Sequence, residues 1–199
     1  EYTGAMRITK LGHCCLVLDV DGVKIVTDPG SFTTTQNDIE DINTILITHE
    51  HQDHFHIESV KAMLMRNPSA VVVTNGAVGA LLQKEGIAST RVGDGEQTEI
   101  NGVKIEGFGK DHAFMYGDLP RVENTAYMVA DTFYFPGDNF HPPVGGQAVR
   151  PIDVLALPVA GPWMKIAEAI DFAKAVKARA AFGVHDGMIV PGFRDFAGM

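Results

Sequence analysis

Cysteine is scarce in this chain: two in 199 residues, Cys14 and Cys15, side by side. A disulfide between adjacent cysteines is sterically awkward, so a disulfide-stapled scaffold is not expected and a reducing compartment is. Strand alternation predicts that one thiol packs in the core while its neighbour faces outward. No apolar run reaches the roughly 18 residues that a membrane span needs. No signal peptide is evident, which makes the cytoplasm the expected location. Basic clusters are also missing. Lysine and arginine number 16 against 25 acidic residues, for a formal charge of −9, so no nucleic-acid partner is expected. There is no linker, low-complexity stretch or tandem repeat. What remains has the balance of an ordinary globular protein, 45% hydrophobic and 21% charged. One domain is expected over residues 6–199, with residues 1–5 ahead of Met6 read as a tag remnant.

The chain alternates strand and helix patterns. Asp21-Gly22 is a hairpin signal between Cys14–Val20 and Val23–Thr27. Asn101-Gly102 plays the same part between Gln97–Ile100 and Val103–Phe108. Thr44–Thr48 and Ala70–Thr74 are short β-branched runs, with a helix expected between them over Ile57–Arg66. A second helix is expected over Gly76–Glu85, closed by Gly86. Ala126–Ala130 and Thr132–Phe135 form another antiparallel pair, and Ile152–Leu157 and Ala180–Val184 are further strands. Between these last two, Lys165–Ala178 carries an apolar stripe of Ile166, Ala169, Ile170, Ala173 and Val176. Two hairpin-rich halves with helices predict two sheets face to face and helices outside, an α/β (α+β) fold of the four-layer αββα sandwich kind.

One segment carries the chemistry. Thr48-His49-Glu50-His51-Gln52-Asp53-His54 places three histidines and Asp53 within six residues, directly after the apolar run Ile45-Leu46-Ile47. In extended chain His49 and His51 share a face, and Asp53 and His54 sit where the chain must turn. Imidazole and carboxylate are ligands for zinc, iron and manganese. A buried strand has no packing reason to end in four such groups, so they predict a metal site. Further candidates recur just past strands: Asp28, His112, Asp138 and His185. Singly each could be a turn or loop residue, but the cluster at 49–54 needs more ligands to complete its shell.

Together these residues resemble the metallo-β-lactamase superfamily. Thr48–His54 matches its HxHxDH signature, and Asp28, His112, Gly137-Asp138 and His185 follow in the family's order. The likeness spans about Met6 to Gly187. Leu11-Gly12-His13, Thr27-Asp28-Pro29 and Leu157–Pro162 are most similar to the small metal-dependent hydrolases related to ascorbate-6-phosphate lactonases. The resemblance implies one divalent ion held by His49, His51 and His112, and a second by Asp53, His54 and His185, with Asp138 bridging. It implies that Asp28 orients ligands from behind. Zinc is the expected metal, with manganese and iron as alternatives.

A metal-bound hydroxide would then attack an ester, lactone or phosphate ester of a small, anionic metabolite. Asp53 and His141 are the candidate catalytic side chains. His141, just after Asp138, either donates a proton to the leaving group or is an exposed loop residue. His13 either supports a ligand or is structural, and His56 is read as a surface residue at a helix start. Phe114, Met115, Tyr116 and Leu119 either wall a pocket or simply pack. Arg121 either clamps an anion or is solvated, and Trp163 is read as a packed anchor. A nuclease is disfavoured by the acidic balance. An iron redox or metal-binding protein is disfavoured by His51, where the family's redox members commonly carry glutamate. The expected partner is a small-molecule substrate, with no membrane, and a homo-oligomer is left open.

Overall fold

A computed structural model describes residues 5–146 and 148–189. Residues 1–4, most of the expected tag remnant, lie outside the described residues, as do 190–199 at the end of the expected domain. The first sheet holds β1 (Met6–Gly12), β2 (Cys15–Val20), β3 (Val23–Thr27), β4 (Ile42–Ile47), β5 (Val71–Thr74) and β6 (Thr90–Arg91) in sequence order. Pairing is antiparallel from β1 to β3 and parallel from β3 to β6. The second sheet is built from β7 (Gln97–Ile100), β8 (Val103–Phe108), β9 (Ala126–Val129) and β10 (Phe133–Phe135), all antiparallel neighbours. After a small ribbon of β11 (Val144–Gly145) and β12 (Ala148–Val149), β13 (Val154–Pro158) and β14 (Ala180–Val184) extend that sheet in parallel to β10.

Helices α1 (Ile57–Arg66) and α2 (Gly76–Lys84) cross over between β4, β5 and β6, and α3 (Ile166–Val176) between β13 and β14. Both predicted hairpin turns have their two central residues at positive φ, Asp21 and Gly22 at 50° and 89°, Asn101 and Gly102 at 50° and 82°. That is the backbone twist a two-residue hairpin requires.

Three apolar layers confirm the αββα order. Leu16, Leu18 and Leu46 of the first sheet meet Ile105, Tyr127 and Phe133 of the second in a central core. Val26, Ile45 and Ile47 on the other face pack under Val60, Met63, Val78 and Leu82 of α1 and α2. Met128, Tyr134 and Leu155 pack under Phe172 and Val176 of α3.

Two expectations need correction. Both cysteines are buried, because both faces of the first sheet are covered: Cys14 joins the central core and Cys15 the layer under the helices. Burial also pushes both thiols up, which keeps them protonated and inert. On α3 the buried face is Ala169, Phe172 and Val176, whereas Ile166 and Ile170 are each 47% exposed. Phe172 replaces two isoleucines as the anchor, which rotates the stripe.

In the first sheet β3 and β4 run parallel, as do β10, β13 and β14 in the second, so each group delivers its C-terminal ends to one edge. Parallel sheets gather ligands outside such ends. Asp28 follows β3, Thr48–His54 follow β4, Asp138 follows β10, Trp163 follows β13 and His185 follows β14.

Candidate metal centre

The loop after β4 folds back on the turn after β3. His54 N–H bonds to the His51 carbonyl at 2.9 Å, and Ser31 N–H to the Gln52 carbonyl at 2.9 Å. Contact is so close at Gly30 that a Cβ would lie 1.8 Å from the Asp53 carbonyl oxygen. Gly137, at φ 63°, is equally constrained, since a Cβ there would lie 2.4 Å from Asn124 Oδ1. His13, Asp28 and His185 hold positive φ of 52°, 35° and 62° without being glycine. Strain of this kind persists where surrounding contacts over-determine the backbone, and it clusters at functional sites.

Two groups of four ligand atoms converge, and a smaller one, Asp28 with His49 and His54, overlaps them. His49, His51, His112 and Asp138 offer atoms all within 4.8 Å of one another, and so do His13, Asp53, His54 and His185. Asp138 joins the two. Its Oδ2 lies 3.3 Å from His112 Nε2, 3.9 Å from His49 Nε2 and 3.1 Å from His185 Nε2, while Oδ1 lies 3.1 Å from His54 Nε2.

Hydrogen bonds settle which imidazole nitrogen faces inward. Asp28, fully buried, accepts the Thr48 N–H at 2.8 Å and the Thr48 hydroxyl at 2.7 Å. It also accepts from His54 Nδ1 at 2.7 Å. With its proton committed to Asp28, the Thr48 hydroxyl can only accept from His49 Nδ1, 3.0 Å away. His112 Nδ1 donates to the Ala113 carbonyl at 2.8 Å. His49, His54 and His112 therefore each turn an Nε2 lone pair into the site, the arrangement metal-binding histidines need. His51 faces His49 Nε2 through Nδ1 at 3.1 Å.

His13 is different. Gly187 N–H donates to its Nδ1 at 3.1 Å, so its proton sits on Nε2 and is given to Asp53 Oδ2 at 3.0 Å. In that tautomer His13 orients Asp53 and has no inward lone pair. It stands behind a ligand, as Asp28 does.

The donor set fits divalent cations. His54 Nε2, Asp138 Oδ1 and both nitrogens of His185 are buried, and although His54 and His185 each lie 3.1 Å from Asp138, none of these atoms is aligned for a hydrogen bond, which buried polar atoms ordinarily make. Convergent orphan atoms of this type are what a cation satisfies. Electrostatics agree. Burial lowers His49 well below its ordinary value and lowers His51, which keeps both neutral with lone pairs free. Burial would raise Asp53 and Asp138, yet the surrounding histidines hold both well below the usual carboxylate range. Burial would likewise lower His54 and His185, but the carboxylates win: His54 is raised, and His185 is pushed up to about 9. Positive charge is stabilised here, and protons alone partly supply it.

The sequence-predicted residues His49, His51, Asp53, His54, His112, Asp138 and His185 thus come together, with Asp28 and His13 behind them. His141 does not join them. A Cβ on Gly109 would lie 2.9 Å from its imidazole, and among the described residues no hydrogen bond or ring contact links it to the ligands. His56 caps α1 and pairs with Ser59 at 3.0 Å.

Trp163 carries more than packing. Its indole N–H donates to Asp138 Oδ2 at 2.9 Å, and its ring lies edge-on to His112 and His185 at 5.9 and 6.0 Å. A tryptophan after Gly161-Pro162 carries no sequence signal for this role. Trp163→Phe keeps the ring and removes the donor, and it should weaken binding of one ion about 10-fold with the fold unchanged. As the chain has a single tryptophan, wild-type fluorescence should also change on addition of the ion. Equal ion affinities in the two proteins would detach Trp163 from the centre.

Comparison with known proteins agrees with this geometry. Residues 7–185 match the model of the β-lactamase superfamily domain. The chain belongs to the β-lactamase superfamily. It is 33% identical over 194 residues to Protein Rv0786c of Mycobacterium tuberculosis, covering 95% of this chain and 88% of that one. It is 33% identical over 120 residues to a UPF0173 metal-dependent hydrolase of Rubrobacter xylanophilus, covering 57% of this chain and 48% of that one. Among solved structures, Igni18, a metallo hydrolase from Ignicoccus hospitalis, superposes with a TM-score of 0.70. It shares 20% identity over 90% of this chain and 82% of its own.

Proposed function

We propose that this superfamily member is a metal-dependent hydrolase of an ester, lactone or phosphate ester in a small anionic metabolite. One observation carries the reading: Asp138 stands between two groups of inward-facing histidine nitrogens, each completed by residues from separate strand ends. Divalent ions, zinc first with manganese or iron as alternatives, supply a Lewis acid and a water acidic enough to ionise near neutral pH.

The chain's own residues account for the rest. His49, His51, His112 and Asp138 would hold one ion, and Asp53, His54, His185 and Asp138 the other. Asp28 and Thr48 fix the tautomers of His49 and His54 together. His13 and His185 hold Asp53 ionised, as a carboxylate that is to bind a cation must be. Two divalent cations would exceed the charge of the ligand carboxylates Asp53 and Asp138 together with one ionised water, so the ligand shell would favour an anionic substrate and a developing oxyanion. The His141 imidazole packs against Gly109.

The test is turnover of a panel of lactones, phosphodiesters and thioesters by chelator-treated protein before and after zinc or manganese is restored. Restoration should raise at least one rate by about 100-fold or more. Turnover indifferent to chelator on every substrate would refute the proposal.

A further inference from the structure

Eleven large apolar side chains are exposed among the described residues, and their distribution is uneven. Six lie in the segments that follow site residues: Phe32 after Asp28, Phe114, Met115, Tyr116 and Leu119 after His112, and Met188 after His185. The stretch after His112 is anchored at its base, where His112 N–H bonds to the Val122 carbonyl at 3.0 Å and Ala113 N–H to the Asp138 carbonyl at 2.8 Å. Solvation alone gives no reason to hold Met115 and Leu119 in water beside the imidazoles of His51 and His112. Exposed apolar patches of this kind mark binding surfaces.

What covers them follows from what they share. Met115, Leu119 and Arg121 line one cavity with the ligands His51 and His112. That cavity measures about 20 Å³, room for about one water, so any larger apolar group must lie on the exposed faces outside it. Across the site, the Phe32 ring packs tilted against His13 at 4.7 Å between ring centres. The ligand shell between these apolar walls would carry net positive charge once loaded, whereas Arg121, its guanidinium 5.6 Å from the Phe114 ring centre, is paired with Asp111 at 4.0 Å. Apolar walls around a cationic floor fit one kind of small molecule.

We infer that the substrate is a monomeric amphiphile, an ester whose hydrolysable, anion-forming group reaches the ligands while an aliphatic chain lies over Met115 and Leu119. This inference rests on the hydrolase reading and narrows its substrate class. Burying a methylene is worth up to about a 4-fold gain in binding, so chain length is the variable to change.

Two readouts keep the inference separate from the reading beneath it. In metal-loaded protein, kcat/KM for 4-nitrophenyl esters should rise from acetate to octanoate by about 30-fold or more. The double substitution M115S/L119S should reduce that octanoate-to-acetate ratio about 10-fold. Calorimetry with straight-chain carboxylates should give the same chain-length trend in Kd without requiring turnover. Ester turnover with no dependence on chain length, in rate or in Kd, would overturn the amphiphile inference and leave the hydrolase reading standing. A trend in Kd with no turnover of any ester would uphold the amphiphile site and count against the hydrolase. Sedimentation with phosphatidylcholine vesicles, or a dimer abolished by M115S/L119S, would overturn it by assigning the apolar rim to a membrane or to a second copy. Melting temperatures close to wild type are expected, because both side chains are exposed.

Discussion

Replacing Asp138 with alanine should reduce bound metal from two ions to at most one and lower turnover by about 1000-fold, equivalent to about 4 kcal/mol of transition-state stabilisation. The size of the effect comes from the number of groups this carboxylate serves. Its two oxygens face His54, His112, His185 and the Trp163 indole N–H, all within 3.3 Å. No other side chain touches both ligand groups in this way among the described residues. The surrounding backbone is held independently. Asp138 N–H bonds to Asn124 Oδ1 at 3.0 Å, Asn124 Nδ2 donates to the Pro136 carbonyl at 3.0 Å, and Ala113 N–H bonds to the Asp138 carbonyl. The fold should therefore survive. Metal analysis and circular dichroism on the same sample check both halves, and wild-type ion content with wild-type rate would exclude a bridging role.

Asp28→Asn should be nearly as damaging, although Asp28 touches only one of the ligands. The carboxylate accepts three hydrogen bonds, and an amide of the same shape must turn an NH2 towards the Thr48 N–H or the His54 Nδ1–H. At the Oδ2 position the NH2 meets both the His54 Nδ1–H and the Thr48 hydroxyl, so His54 loses its acceptor and the anchor of His49 is released with it, whereas at the Oδ1 position it meets only the Thr48 N–H. In the first orientation one substitution loosens a ligand in each group. Both ions should bind about 10- to 100-fold more weakly, and the protein should lose about 1–3 kcal/mol of stability from the unsatisfied buried donor. Thr48→Val provides the contrast. It leaves His54 paired to Asp28, so it should weaken chiefly the ion held by His49. If Asp28→Asn binds both ions as tightly as wild type, the shared tautomer control is wrong.

Much of this was legible in the residue order because the ligands fall in contiguous or strand-terminal positions. His49 to His54 are local, and local patterns survive in sequence. Asp28, His112, Asp138 and His185 stand just past strands that β-branched and aromatic runs announce. Asn-Gly and Asp-Gly located both hairpins, because only certain residues accept positive φ cheaply. What was illegible depended on packing. The strand β1 alternates weakly, with Arg7, Thr9 and Lys10 exposed at a sheet edge. The second face of Cys14-Cys15 is covered by helices that arrive from far along the chain. Trp163 reaches Asp138 across 25 positions through a single N–H, and no periodicity predicts that. His141 shows the converse: proximity in sequence to Asp138 did not bring its imidazole to the ligands.

The central claim is that two cations share this one carboxylate. A crystal structure of the zinc-loaded protein, with anomalous maps at the zinc edge, tests it most directly. Two peaks are expected, one among His49, His51 and His112 and the other among Asp53, His54 and His185, each in contact with Asp138. A lone peak away from Asp138, or peaks only at surface side chains, would contradict it.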